Sequence, residues 1–185
     1  MRKFFILLFS LLLLQTGAAC GAGKNCFEIP LDAFITRLTL AGARADYALD
    51  RKTIKNRYVE EAEERVVITS DTSVMMIIYC SSDFKKMKDI AVAYFTTDSE
   101  ELSTGKDGDK NQSIPNEILF RKMCRQLLYA LNAGMTEAEA DKLLKKLGIQ
   151  GEYIDCIQRE IKTDKYTYMM KLSREGVLVM TVSHI

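Results

Sequence analysis

The sequence predicts an α+β fold, with helices packed on an antiparallel sheet. Three observations carry that expectation. Each half of the chain opens with a segment whose apolar residues recur at helical spacing. Each half then passes into short runs rich in β-branched and aromatic residues. Turn signals such as "DTS" and "REG" separate several of those runs, as expected for neighbours that pair antiparallel.

The chain has 185 residues, of which 48% are apolar and 28% charged, enough apolar material for one sizeable core or two small ones. It opens with "MRKFFILLFSLLLLQTGAAC". Arg2 and Lys3 precede an apolar run from Phe4 to Leu14, and small residues follow. This is the order of a secretory signal peptide, expected over residues 1 to 19. A run of eleven residues falls short of the roughly 20 that a bilayer-spanning helix needs. Cleavage would leave 24 basic and 25 acidic residues, a charge of about −1. No bulk basic field is then left for nucleic acid or an anionic membrane.

All five cysteines, Cys20, Cys26, Cys80, Cys124 and Cys156, lie at or beyond the expected cut. An odd number in an oxidising compartment asks for a reason. "GAAC" resembles the lipobox of bacterial lipoproteins, with Gly17 in place of the usual leucine, and the resemblance implies a lipidated Cys20. Gly21 in the next position leans towards the outer membrane. The other four thiols allow three connectivities. The expected pairing is Cys26 with Cys80 and Cys124 with Cys156, since each would staple one half of the chain. There is no C-x-x-C, and the one histidine is His184, so no metal site is expected.

The elements follow in order. "PLDAFITRLTLAG", Pro30 to Gly42, puts Leu31, Phe34, Ile35 and Leu38 on one face between a proline and a glycine, which predicts a short amphipathic helix. Residues 43 to 64 are polar and charged, and read as a loosely amphipathic helix or an irregular solvated stretch. "RVVITS" and "VMMIIYC" read as a hairpin and "DIAVAYFTT" as a third strand. Their near-continuous apolar character suggests central strands or a covered sheet.

From Asp98 to Ser113 apolar residues nearly vanish, which marks a polar loop or linker between an N-terminal unit (20–97) and a C-terminal unit (114–185). Asp107, Asp109, Asn111 and Ser113 imitate the first half of a calcium loop. Gln112 and Ile118 stand where glycine and glutamate are required, so a solvated loop is the reading.

"PNEILFRKMCRQLLYALNAG" carries a helical stripe of Ile118, Met123, Leu127 and Leu131. In the next segment Thr136 and Glu139 form a capping box, Leu143, Leu144 and Leu147 the buried face, and Gly148 the stop. The remainder reads as a three-stranded meander of "YIDCIQREIKT", "KYTYMMKLS" and "VLVMTVSHI". Tyr166, Tyr168, Met170 and Leu172 share the face expected to pack on helices. Lys165, Thr167, Met169 and Lys171 share the other, a candidate strip for contact with a partner. "IPLDAFITRL" and "IPNEILFRKM" echo one another, which suggests two tandem helix-plus-sheet units.

"LNAGMTEAEADKLLKKLG" followed by "YTYMMKLSREGVLVMTVSHI" resembles the SmpA/OmlA group of small outer-membrane lipoproteins, over Leu131 to Ile185. Secreted β-lactamase inhibitor proteins have a related fold of two such units. The resemblance implies a compact helix-plus-sheet binding module and transfers no catalytic residue.

Catalytic constellations are absent from the sequence pattern. Ser/His/Asp or Cys/His chemistry would have to use His184, and no nucleophile elbow, P-loop or dinucleotide fingerprint occurs. Glu60, Glu61, Glu63 and Glu64 alternate with opposite charge and read as a solvated face. The expectation is an exported, envelope-associated, non-enzymatic protein that binds another protein. It uses no cofactor and no nucleic acid, and meets the membrane only through a lipid anchor on Cys20. The alternatives are a periplasmic or secreted inhibitor or immunity protein that blocks an enzyme, and an envelope hydrolase.

Overall fold

A computed structural model describes residues 26–47, 54–59, 64–71, 74–81, 86–95, 116–150, 153–154, 158–173 and 176–185. The signal segment, Cys20, the polar stretch 98–113 and Cys156 lie outside the described residues.

The first helix, α1 (Leu31–Arg44), buries Leu31, Phe34, Leu38, Ala41 and Gly42 on one face. Two residues beyond its end, Asp46 takes a positive φ of 52°. Gly42 is required where it stands, because a Cβ there would overlap the Tyr47 carbonyl oxygen. Residues 43 to 64, expected to be a loosely amphipathic helix or an irregular solvated stretch, contain a strand among their described residues. Beyond Arg44, Lys55–Val59 form an edge strand, β1, which pairs with β2 (Glu64–Asp71). A strand paired on one side only tolerates charged residues in its sequence, which guard it against pairing with other chains.

The hairpin of β2 and β3 (Val74–Ser81) is present, with Asp71 opposite Val74. β4 (Met87–Phe95) follows it. Helix α2 (Asn116–Leu131) buries Leu119, Phe120, Met123, Leu127, Leu128 and Leu131. Helix α3 (Glu137–Lys146) has the predicted capping box in full: Thr136 Oγ1 accepts from the Glu139 amide at 3.3 Å, and the Thr136 amide donates to Glu139 Oε2 at 2.7 Å. Gly148 takes the left-handed φ of 95° after the helix.

The segment "YIDCIQREIKT" is split where one strand was expected. Tyr153–Ile154 (β6) pairs with Ile149–Gln150 (β5) in a small hairpin of its own, and among the segment's described residues Arg159–Lys162 (β7) joins the main sheet. β8 (Tyr166–Leu172) and β9 (Val177–His184) complete the meander, turning through Gly176 at φ 75°.

The main sheet has seven strands in the order β1-β2-β3-β4-β9-β8-β7, and every neighbouring pair is antiparallel. The strands of both halves share one sheet, seamed where Ala91 lies opposite Thr181 and Ala93 opposite Val179. The edges of two apolar meanders bury more when joined to each other than when left to water.

Buried residues of all three helices belong to one core with Val74, Met76, Ile78, Ile90, Val92, Tyr168, Met180 and Val182. Burial of this face outweighs the ion pairs at the helix surface. Each fully buried Leu, Phe or Met contributes roughly 1.5–3 kcal/mol. The α2–α3 pairs of Arg125 with Asp141 and Glu137, and of Arg121 with Asp141, are half-exposed and contribute about 0.2–1 kcal/mol each. Gln126 is the one buried polar residue among those described, held by a 2.8 Å hydrogen bond from its Nε2 to the Leu38 carbonyl.

The expected Cys26–Cys80 bond is not formed, and both are free thiols. Cys80 Sγ is fully buried on the helix side of β3, 3.9 Å from the Ile78 carbonyl oxygen of its own strand. Cys26 is half-buried just before Phe27. Cys124, expected to pair with Cys156, is a free thiol buried within α2, and burial pushes its pKa well up.

Candidate functional site

Because side chains alternate along a strand, the sheet has a second face, and its centre is apolar too. Ile77 on β3, Ala91 and Ala93 on β4, and Val177 and Val179 on β9 form a second buried cluster, flanked by half-buried Met75, Tyr79 and Phe95. The cluster is made of strand residues alone, whereas the buried residues of the helices all belong to the first face. Exposures of 0–6% across the five central residues mean that this face is covered, and none of the three described helices supplies the cover.

The predicted contact strip divides. β8 carries Thr167 opposite Ser183, Met169 opposite Thr181 and Lys171 opposite Val179, so three of the four residues extend the second face outward from β9. All three are half-buried. Burial lowers the Lys171 pKa from its ordinary value, the mark of an ammonium partly withdrawn from water. Lys165 stands apart. It precedes β8, is exposed, and lines a separate cleft beside Tyr166 and Arg37.

The border of the second face is polar. Ser183 donates a 2.5 Å hydrogen bond to Asp89 across the β4–β9 seam. Further out, Lys162 pairs with Glu160 on β7 at 3.3 Å. An apolar centre inside a polar, mixed-charge border is the anatomy of a protein contact surface.

The central residues of this face were not singled out as a site from the sequence. Their signal was the unbroken apolar character of "VMMIIYC", "DIAVAYFTT" and "VLVMTVSHI". Such runs mean that both faces of a strand are covered, and helices account for only one of them here.

The reactive residue types are dispersed. Among the described residues no group of three or more His, Cys, Asp or Glu is placed to hold a metal ion. His184 packs among aromatic rings, edge-on to Tyr166 at 5.9 Å and to Phe27 at 6.1 Å. No described helix is long and apolar enough to cross a membrane. No family model matches the chain, and neither does any curated protein or solved structure.

Proposed function

We propose that the chain is an exported, envelope-associated, non-enzymatic module that binds another protein through the second face of its sheet. Cys20 is the lipid anchor in this reading. The observation that carries it is the apolar cluster of Ile77, Ala91, Ala93, Val177 and Val179, covered by no described helix. The basic, apolar and small-residue order of residues 1 to 19 supports export, and "GAAC" supports the anchor.

Processing makes the face consequential. Once residues 1 to 19 are removed, the remaining segments outside the described residues are poor in large apolar side chains; 98–113, the longest run of strongly polar sequence among them, offers only Leu102. A mature chain has little of its own with which to cover five central apolar residues. An apolar surface on another protein fits the centre, and Asp89, Thr181, Ser183 and Lys171 provide the polar border that fixes its orientation.

The test uses residues 20–185. The mature chain should bind a hydrophobic dye, and should be captured by one envelope protein that protects Met75 and Met169 from oxidation. Met169→Glu should abolish the capture while leaving circular dichroism unchanged. Dimerisation with the same protection would assign the face to a second copy and overturn the reading. So would a monomer that binds neither dye nor partner and keeps Met75 and Met169 protected by itself.

A further inference from the structure

Between the first turn of α1 and the start of β8 lies a half-open cleft of about 340 Å³, which includes Lys165 and is distinct from the second face. Its size falls at the lower end of small-molecule sites, which run from about 300 to 1,000 Å³. Its walls carry charge of both signs, from Glu28 and from Arg37 and Lys165. Leu131 and Ile29 supply apolar wall, and Tyr166, a residue of the core, lines it as well.

None of the three charged side chains has an ion-pair partner among the described residues, although opposite charges line the same cleft. Other cations are differently placed: Arg44 lies over the Tyr129 ring and bonds the Met135 carbonyl, and Lys122 pairs with Asp46 at 2.7 Å. The cleft thus carries three exposed charges that no described residue pairs with.

The tyrosine is held rigidly. Its ring stacks on Phe27 with centroids 5.5 Å apart and meets Tyr168 and His184 edge-on. Its backbone is fixed on both sides by Thr163, which donates to the Tyr166 carbonyl and accepts from its amide. The neighbouring Lys165 carbonyl accepts from Ile185 at 3.0 Å. The hydroxyl makes no hydrogen bond within the described residues. Burial raises its pKa first, Glu28 raises it further and Arg37 opposes them, so both charges act on one phenol.

We propose that this cleft binds a zwitterion of the α-amino acid or short-peptide class, with its carboxylate on Arg37 and Lys165 and its ammonium on Glu28. The charge pattern selects this class over simpler ions. A lone carboxylate would meet the like charge of Glu28, and a lone ammonium would meet two cations. A ligand that carries both groups satisfies all three side chains, its carboxylate can also accept from the Tyr166 hydroxyl, and an aliphatic side chain finds Leu131 and Ile29. The inference is independent of the second-face reading, since the two surfaces share none of the residues used in either test.

Ligand-observed NMR and calorimetry on residues 20–185 test it with three probes: leucine, N-acetyl-leucine without the ammonium, and leucinamide without the carboxylate. Leucine should bind, and each single-charge analogue should bind about tenfold to a hundredfold more weakly, the effect of losing one charge-assisted contact. Arg37→Gln and Lys165→Gln should weaken leucine while leaving leucinamide no weaker. Glu28→Gln should remove the preference for leucine over N-acetyl-leucine. Equal or tighter binding of N-acetyl-leucine to the unaltered chain would make this a plain anion site and overturn the proposal. Absence of binding by every probe at millimolar concentration would overturn it as well.

Discussion

Residue by residue, the cysteines separate what composition suggests from what packing allows. Four thiols beyond Cys20 invite two staples, yet Cys26 and Cys80 are unbonded, and Cys80 and Cys124 are fully buried. A thiol reacts as its thiolate, and burial holds Cys124 in the neutral form. Brief alkylation of the reduced native protein should therefore modify Cys26 and spare Cys80 and Cys124, with all three reacting after denaturation. Modification of Cys124 in the native chain would contradict its placement. A peptide linking Cys26 to Cys80 in a non-reduced digest would restore the bond expected from the sequence. Gln126 makes a complementary point: its amide nitrogen finds the Leu38 carbonyl, while its buried oxygen has no partner. Neither feature of Gln126 is readable from the sequence, because the helix period places it without saying what faces it.

Single elements show where sequence reading succeeds. The capping box of α3 is legible because both partners lie within four residues, and its geometry depends on nothing distant. Its contribution is testable: Thr136→Ala should cost about 1 kcal/mol. In a chain of this length that is a fall in Tm of about 2–4 °C. Thr136→Ser should keep most of the stability, and an unchanged Tm in the alanine variant would mean that α3 is held by Ala140, Leu143 and Leu144 alone. The β2–β3 hairpin was legible for the same local reason. β1 was not, because Lys55, Asn56 and Arg57 belong to an edge strand whose charges resemble those of a solvated segment. The β4–β9 seam joins residues about 90 positions apart and has no local signature. Of the contact strip, Thr167, Met169 and Lys171 lie on the face opposite Tyr168, as strand alternation dictates. The apolar centre beside them needed the sheet order to become visible.

For the molecule as a whole, the joint between sheet and helices is rich in tyrosine, and that sets how stability should respond to alkali. Tyr94 donates to Glu117 Oε1 at 2.8 Å across the β4–α2 contact, and Tyr168 meets the Asn132 amide at 3.2 Å below the end of α2. Burial foremost pushes both phenols up to about 12, and it raises Tyr129 and Tyr166 above their ordinary value as well. An unfolded tyrosine loses its proton near 10, so between about 10 and 12 the unfolded chain binds fewer protons than the folded one. Stability must then fall as pH rises through that window, and the tyrosines contribute no such slope below it. The urea midpoint should drop from about pH 10 upward, and the phenolate absorbance of the buried tyrosines should rise together with loss of circular dichroism instead of ahead of it. Tyr94→Phe and Tyr168→Phe should each flatten the alkaline slope, since each removes one of the strongly raised phenols. Phenolate that appears at pH 10 in the fully folded chain and is missing from the Tyr94→Phe or Tyr168→Phe variant would show that these rings are open to water, and would place the helices off the sheet. That outcome would also undo the contrast behind the proposed function, because the proposal assigns a partner to the second face on the ground that the helices seal only the first.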